Sequence, residues 1–135
     1  MGEGDAELLA TALDLLGRVY RVGRHEVATA FRMSDGAIVT GVHVDGTARR
    51  SAVCAEGAAS GAAIAHASGR EIGVVAVVSV LRRAAGTEHL IEPCGVCAEL
   101  LSDYWPDARV WVTTGDDASA VAVRDLLPHK KVREG

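Results

Sequence analysis

The stretch IGVVAVVSVL, residues 72–81, is the most apolar run of the chain and is rich in β-branched residues. It shows no polar alternation, so it predicts a strand covered on both faces rather than one with a wet side. A strand buried this way needs helices packed above and below it. The run therefore points to an α/β fold, with one mixed central sheet of about five strands and helices on its faces.

The flanking segments fit that plan. Upstream, residues 54–68 are rich in Ala and Gly and predict a buried helix that Gly69 ends. Before it, the apolar runs 27–33 and 37–44 are separated by Ser34-Asp35-Gly36, a hairpin signal. Residues 5–18 place Leu8, Leu9, Ala12, Leu13, Leu15 and Leu16 at helical spacing, with acids early and Arg18 late. Downstream, RRAAGTEH (82–89) reads as a polar connection, and 94–104 as a short helix between Pro93 and Pro106. Strands at 110–113 and 120–123 follow, giving the order α-β-β-α-β-α-β-β.

Composition narrows the function. A length of 135 residues predicts one domain, 1–135. The hydrophobic fraction is 49% with only 4% aromatic, so the core is aliphatic. A net charge of −4 argues against a nucleic-acid or anionic-membrane partner. No apolar run approaches the roughly 20 residues that span a bilayer, and the acidic start MGEGDAELL does not read as a signal peptide. The expected location is cytoplasmic.

The cysteines carry the chemistry. There are three, an odd number, and two form a C-x-x-C, which fits a metal or redox site better than a disulfide frame. Cys54 heads the Ala-rich helix, while Cys94 and Cys97 head the next one and face the same way. Helix N-termini favour thiolates, and three thiolates suit Zn²⁺ while leaving a fourth position open for a water that the metal acidifies. Glu56, two residues past Cys54, is the candidate proton carrier. A structural zinc site would want a fourth ligand, and none of the five histidines stands at short ligand spacing from the thiols. A redox pair would leave Cys54 without a purpose.

The pattern Cys54-Ala55-Glu56 followed by Pro93-Cys94-Gly95-Val96-Cys97 resembles the signature of zinc-dependent base deaminases. The chain looks like the small cytidine deaminase type and most resembles the blasticidin-S deaminase family, through HEVATAFRMSDGAIVTGVHV, PCGVCAELLSDYWPDARV and RDLLPHKKVREG. The resemblance implies a three-layer α/β/α subunit, assembly as a homotetramer (or homodimer), a small-molecule substrate, and hydrolytic loss of ammonia from a cytosine-type nucleoside. Cys54, Cys94 and Cys97 would bind zinc, and Glu56 would shuttle protons. Main-chain groups of Ala55 and Pro93 would hold the base and the departing ammonia. His43 and Asp45 stand where related enzymes grip the ribose, and His25 where cytidine deaminases stack on the substrate.

The chain also departs from that pattern. Asp45 is one methylene shorter than the usual glutamate. Gly57 and Ala98 replace arginines that offset thiolate charge, so the site should be more electron-rich unless Arg49 or Arg50 compensates. Tyr104-Trp105 reads as a helix-end packing element, and PHKKVREG as a solvated tail or the cap of a neighbouring pocket. Two other readings stay open: deamination of a non-nucleoside amino or imino heterocycle, and a non-catalytic zinc-binding homologue.

Overall fold

A computed structural model describes residues 1–131 and 133, the side chain of Arg49 excepted. Helix α1 (Glu3–Val19) leads into strands β1 (Val27–Met33) and β2 (Ile38–Val42), which form an antiparallel hairpin. Helix α2 (Ala55–Ala67) follows, then β3 (Val74–Arg82), β4 (Glu88–Ile91), α3 (Gly95–Tyr104), β5 (Arg109–Thr114) and β6 (Asp117–Ala122). The mixed sheet runs in the order β2-β1-β3-β5-β6. No helix among the described residues is long and apolar enough to cross a membrane.

The run at 72–81 is indeed the central strand. Its partner on one edge is β1, antiparallel from Val27↔Leu81 onward. The other edge is shared: β5 pairs in parallel with Ala76 and Val77, and β4 pairs antiparallel with Ser79 to Arg82. Strand β4 makes six strands where the sequence predicted five. Residues 82–89 are not a plain connection: Arg83 and Thr87 close a turn at Gly86 (φ 91°), and the chain folds straight back. Four half-exposed residues, Glu88–Ile91, carry too little periodicity to announce a strand.

Alternation along the strands sends side chains to two cores. Ala28, Ala30, Ala76, Val78 and Val80 meet Leu8, Ala12 and Leu16 of α1. Phe31, Val77 and Val110 meet Ala59 and Ala63 of α2 and Leu101 of α3 on the opposite face. The result is three layers, α/β/α. Truncating a fully buried leucine such as Leu8 or Leu101 to alanine should cost about 2–5 kcal/mol.

Close approach explains the composition of α2. A Cβ at Gly41 of β2 would stand 2.3 Å from the Ala55 carbonyl oxygen and 2.5 Å from the Ala59 nitrogen. Only glycine there, facing alanines, lets the helix backbone sit against the sheet. At the far end Ser68 (φ 49°) and Gly69 (φ 78°) take left-handed conformations and stop the helix. Trp105, after α3, packs edge-on against Phe31 at 6.2 Å, as expected for a packing element, while Tyr104 is exposed.

Candidate active site

Helices α2 and α3 begin at the same end of the sheet, and each has a cysteine as its N-cap, Cys54 and Cys94. Cys97 lies one turn into α3 and is buried, while the two capping thiols are exposed. All three sulfurs lie within 4.8 Å of one another, with Cys54 Sγ and Cys94 Sγ 3.8 Å apart. A tetrahedral centre with metal–sulfur bonds of about 2.3 Å would hold its sulfurs about 3.8 Å apart. The donor set therefore matches a soft divalent metal in chemistry, and the Cys54–Cys94 pair matches it in spacing.

The thiols do not share one electrostatic environment. Burial tends to raise Cys94, but backbone N–H groups of Cys97 and Val96, with the neighbouring thiols, bring it below the ordinary thiol range. Cys97 is pushed well up, first by burial and then by the negative charge of Glu56. Cys54 is also raised, chiefly by burial. The helix N-terminus thus wins at Cys94 alone. Three thiolates this close repel one another, and a cation between them removes the conflict.

Glu56, in the first turn of α2, is only 3% exposed, and its Oε2 is buried without a hydrogen-bond partner. Burial pushes its carboxyl above the usual range. An orphaned buried carboxylate oxygen is rare in a purely structural position, and here it lies beside the thiol cluster.

A cavity of about 180 Å³ opens on these groups, lined by Val27, His43, Cys54, Ala55, Glu56, Ile91, Glu92 and Cys94. Of the residues expected at the site, Cys54, Cys94, Glu56, Ala55 and His43 line it, and Cys97 lies beneath it in the sulfur cluster. Pro93 is buried next to Cys94 but is not part of the lining. Asp45 stands behind His43, its Oδ2 3.5 Å from His43 Nε2. The Glu26 N–H donates to His43 Nδ1 at 3.2 Å, so the neutral ring carries its proton on Nε2, toward Asp45. His25 does not line the cavity. Its Nδ1–H donates to the His43 carbonyl oxygen at 3.0 Å, which places it behind His43.

Sequence reasoning missed Val27, Ile91 and Glu92. Ile91 was hidden with β4, whereas Glu92 stood in plain view, one residue before Pro93. Glu92 Oε1 accepts the Thr113 N–H at 2.7 Å and the Thr113 hydroxyl, and the hydroxyl lowers its pKa most. Arg50 is exposed and away from the lining, and the Arg49 side chain lies outside the described residues. Among the described residues no Lys or Arg lines the cavity. In the tail, Lys130 Nζ lies 2.9 Å from Ser102 Oγ and 2.5 Å from Asp103 Oδ1 on α3 of its own chain, while residues 132, 134 and 135 lie outside the described residues.

No family model matches the chain. It is 30% identical over 134 residues to the blasticidin-S deaminase of Bacillus cereus, covering 98% of this chain and 96% of that one. It is 28% identical over 107 residues to a cytidine deaminase of Halalkalibacterium halodurans, covering 78% and 76% of the two chains. Among solved structures, the cytidine deaminase from Bacillus anthracis superimposes with a TM-score of 0.74 at 24% identity, over 93% of this chain and 87% of that one. That from Mycobacterium leprae does so at 0.71 and 25% identity, over 96% and 100%. A relative at this identity along the whole length, with the same fold in its structural neighbours, establishes that the chain belongs to the cytidine deaminase superfamily.

Proposed function

We propose that this protein is a zinc-dependent hydrolytic deaminase, removing the exocyclic amine of a cytosine-type nucleoside, cytidine-like or blasticidin S-like, as ammonia. The observation that carries the reading is the unpartnered, buried Oε2 of Glu56 beside three clustered thiols. A structural metal site would need no such group. Cys54, Cys94 and Cys97 would hold the zinc. When bound, it supplies a Lewis acid able to lower the pKa of water from about 15.7 to about 7.

The residues of this chain then divide the work. Glu56 Oε2 accepts a proton from the attacking water and gives it to the ring nitrogen next to the amino-bearing carbon. It next moves the remaining hydroxyl proton to the amine, which leaves as ammonia while the ring carbon becomes a carbonyl. A carboxyl raised by burial suits this two-way traffic, since it holds a transferred proton better than an exposed carboxyl would. Main-chain groups at Ala55 and Pro93 hold the base. His43, its ring set between the Glu26 N–H and Asp45, addresses polar groups beyond the base, and His25 fixes the His43 backbone. We assign the functional form to a homotetramer or homodimer of single-domain subunits in the cytoplasm.

The test is ammonia release from cytidine, deoxycytidine, cytosine and blasticidin S by zinc-loaded protein. Turnover of at least one, with about one zinc per chain, supports the reading. Ammonia from none of the four overturns it and favours a different heterocycle.

A further inference from the structure

The capping thiols Cys54 and Cys94 meet from two helices that are seated differently. Helix α2 rests against β2 at Gly41. The chain enters α3 through Glu92, Pro93 and Cys94, and among the described residues no main-chain hydrogen bond ties these three to β5. Pro93 has no N–H to offer. The cause is a change of partner along β3: β5 pairs with Ala76 and Val77, and β4 then takes Ser79 to Arg82 on the same edge. Beyond Val110, β5 is left without a strand on that side among the described residues, and a side chain fills the gap. Glu92 Oε1 accepts the Thr113 N–H at 2.7 Å and the Thr113 hydroxyl as well.

Hydrogen bonds to a carboxylate are roughly twice as strong as neutral ones, so this two-bond clamp fixes where the segment stands. Cys94 lies two residues on. It caps α3, and its Sγ is 3.8 Å from Cys54 Sγ. A shift of residues 92–94 moves that sulfur relative to Cys54, and metal–ligand distances hold only to about 0.2 Å either way. Glu92 also lines the cavity, yet the proton relay does not use it.

We propose that Glu92 is a positioning residue: by clamping the entry of α3 to Thr113 it sets the Cys94 sulfur, and through it the affinity of the three-thiol cluster for zinc. This rests on the zinc reading of that cluster. Partners outside the ligand set that orient a metal ligand are typically worth about 10–100-fold in affinity. Glu92 and Thr113 are both exposed, so water competes for the clamp and the effect belongs near the lower end, about tenfold.

The experiment measures the zinc Kd of the full chain by chelator competition at neutral pH, and its melting temperature at saturating zinc. Wild type, Glu92→Gln, Glu92→Ala, Thr113→Val and the Glu92→Ala/Thr113→Val double variant are compared. Glu92→Ala should weaken zinc about tenfold, and Thr113→Val less, because it keeps the N–H. The double variant should bind no more weakly than Glu92→Ala, since one clamp is lost only once. Glu92→Gln keeps an oxygen for Thr113 and should recover most of the affinity, which separates position from charge. An unchanged Kd in Glu92→Ala, with only the melting temperature lowered, overturns the proposal and leaves the zinc reading standing, because the clamp would then merely join β4 to β5. A loss in Glu92→Gln as large as in Glu92→Ala also overturns it, since the carboxylate charge would then be what the cation feels. If Glu92→Ala does not fold, Thr113→Val decides: weaker zinc supports the proposal and an unchanged Kd overturns it. A wild type that binds no zinc overturns the proposal and the zinc reading together.

Discussion

The two faces of the sheet each bury a carboxylate, and they treat it in opposite ways. On the α1 face Asp5, 8% exposed, accepts from Arg109 Nε at 2.8 Å, Arg109 Nη2 at 2.9 Å and Trp111 Nε1 at 2.8 Å. Its pKa falls because the Arg109 hydrogen bonds outweigh the cost of burial, with Trp111 adding to them. On the α2/α3 face Glu56 is more deeply buried, has an oxygen with no partner, and is raised by that burial. A satisfied buried acid holds elements together; an unsatisfied one is available for chemistry.

Breaking each carboxylate should therefore damage a different property. Glu56→Gln should lower kcat by roughly 10²–10⁴-fold, the worth of a general acid–base group, with zinc content and melting temperature preserved. Steady-state ammonia release together with metal analysis checks both halves. Gly41→Ala tests the seat of α2: its Cβ would strike the Ala55 and Ala59 backbone. The expected loss is about 3 kcal/mol, at the upper end for overpacking, with weaker zinc retention because Cys54 caps the displaced helix. Urea unfolding and chelator competition measure the two effects.

Asp5→Asn should be milder, costing about 2 kcal/mol because Arg109 is half exposed and water can take over its bonds. Calorimetry should show a melting temperature lower by roughly 6–10 °C, with activity per folded molecule unchanged. The sign of its pH dependence follows from the lowered pKa. Stability from Asp5 is fully present above its unfolded value near 3.9 and disappears as pH falls through the lower folded value. Acid titration of unfolding should show that loss in wild type, and a shallower one in the Asn variant. Smallest of all, His66→Ala removes a 2.8 Å contact with Asp35 at the surface, and the melting temperature should not move measurably.

How legible these features were depended on how local their causes are. The central strand, the β1–β2 hairpin and the heads of α2 and α3 were readable because apolar runs, Ser34-Asp35-Gly36, Cys54 and Pro93 mark them within a few residues. The thiols of α3 announce themselves by spacing. That Cys54 joins them depends on Gly41 letting α2 sit against β2, a contact between residues far apart in sequence. Strand β4 escaped because its four residues exist as a strand only through pairing with β3. With it went Ile91 and the reason Glu92 faces Thr113. The role of Asp5 was invisible for the same reason, since its partners lie 104 and 106 residues away.

The most direct test puts wild type and Glu56→Gln side by side at equal zinc occupancy and follows ammonia release from cytidine and blasticidin S. The account predicts release by wild type from at least one of them, and a drop of at least roughly a hundredfold in the variant with its zinc still bound. A variant that turns over at the wild-type rate while holding the same metal would contradict it, because the lone buried carboxylate oxygen would then have no part in the chemistry.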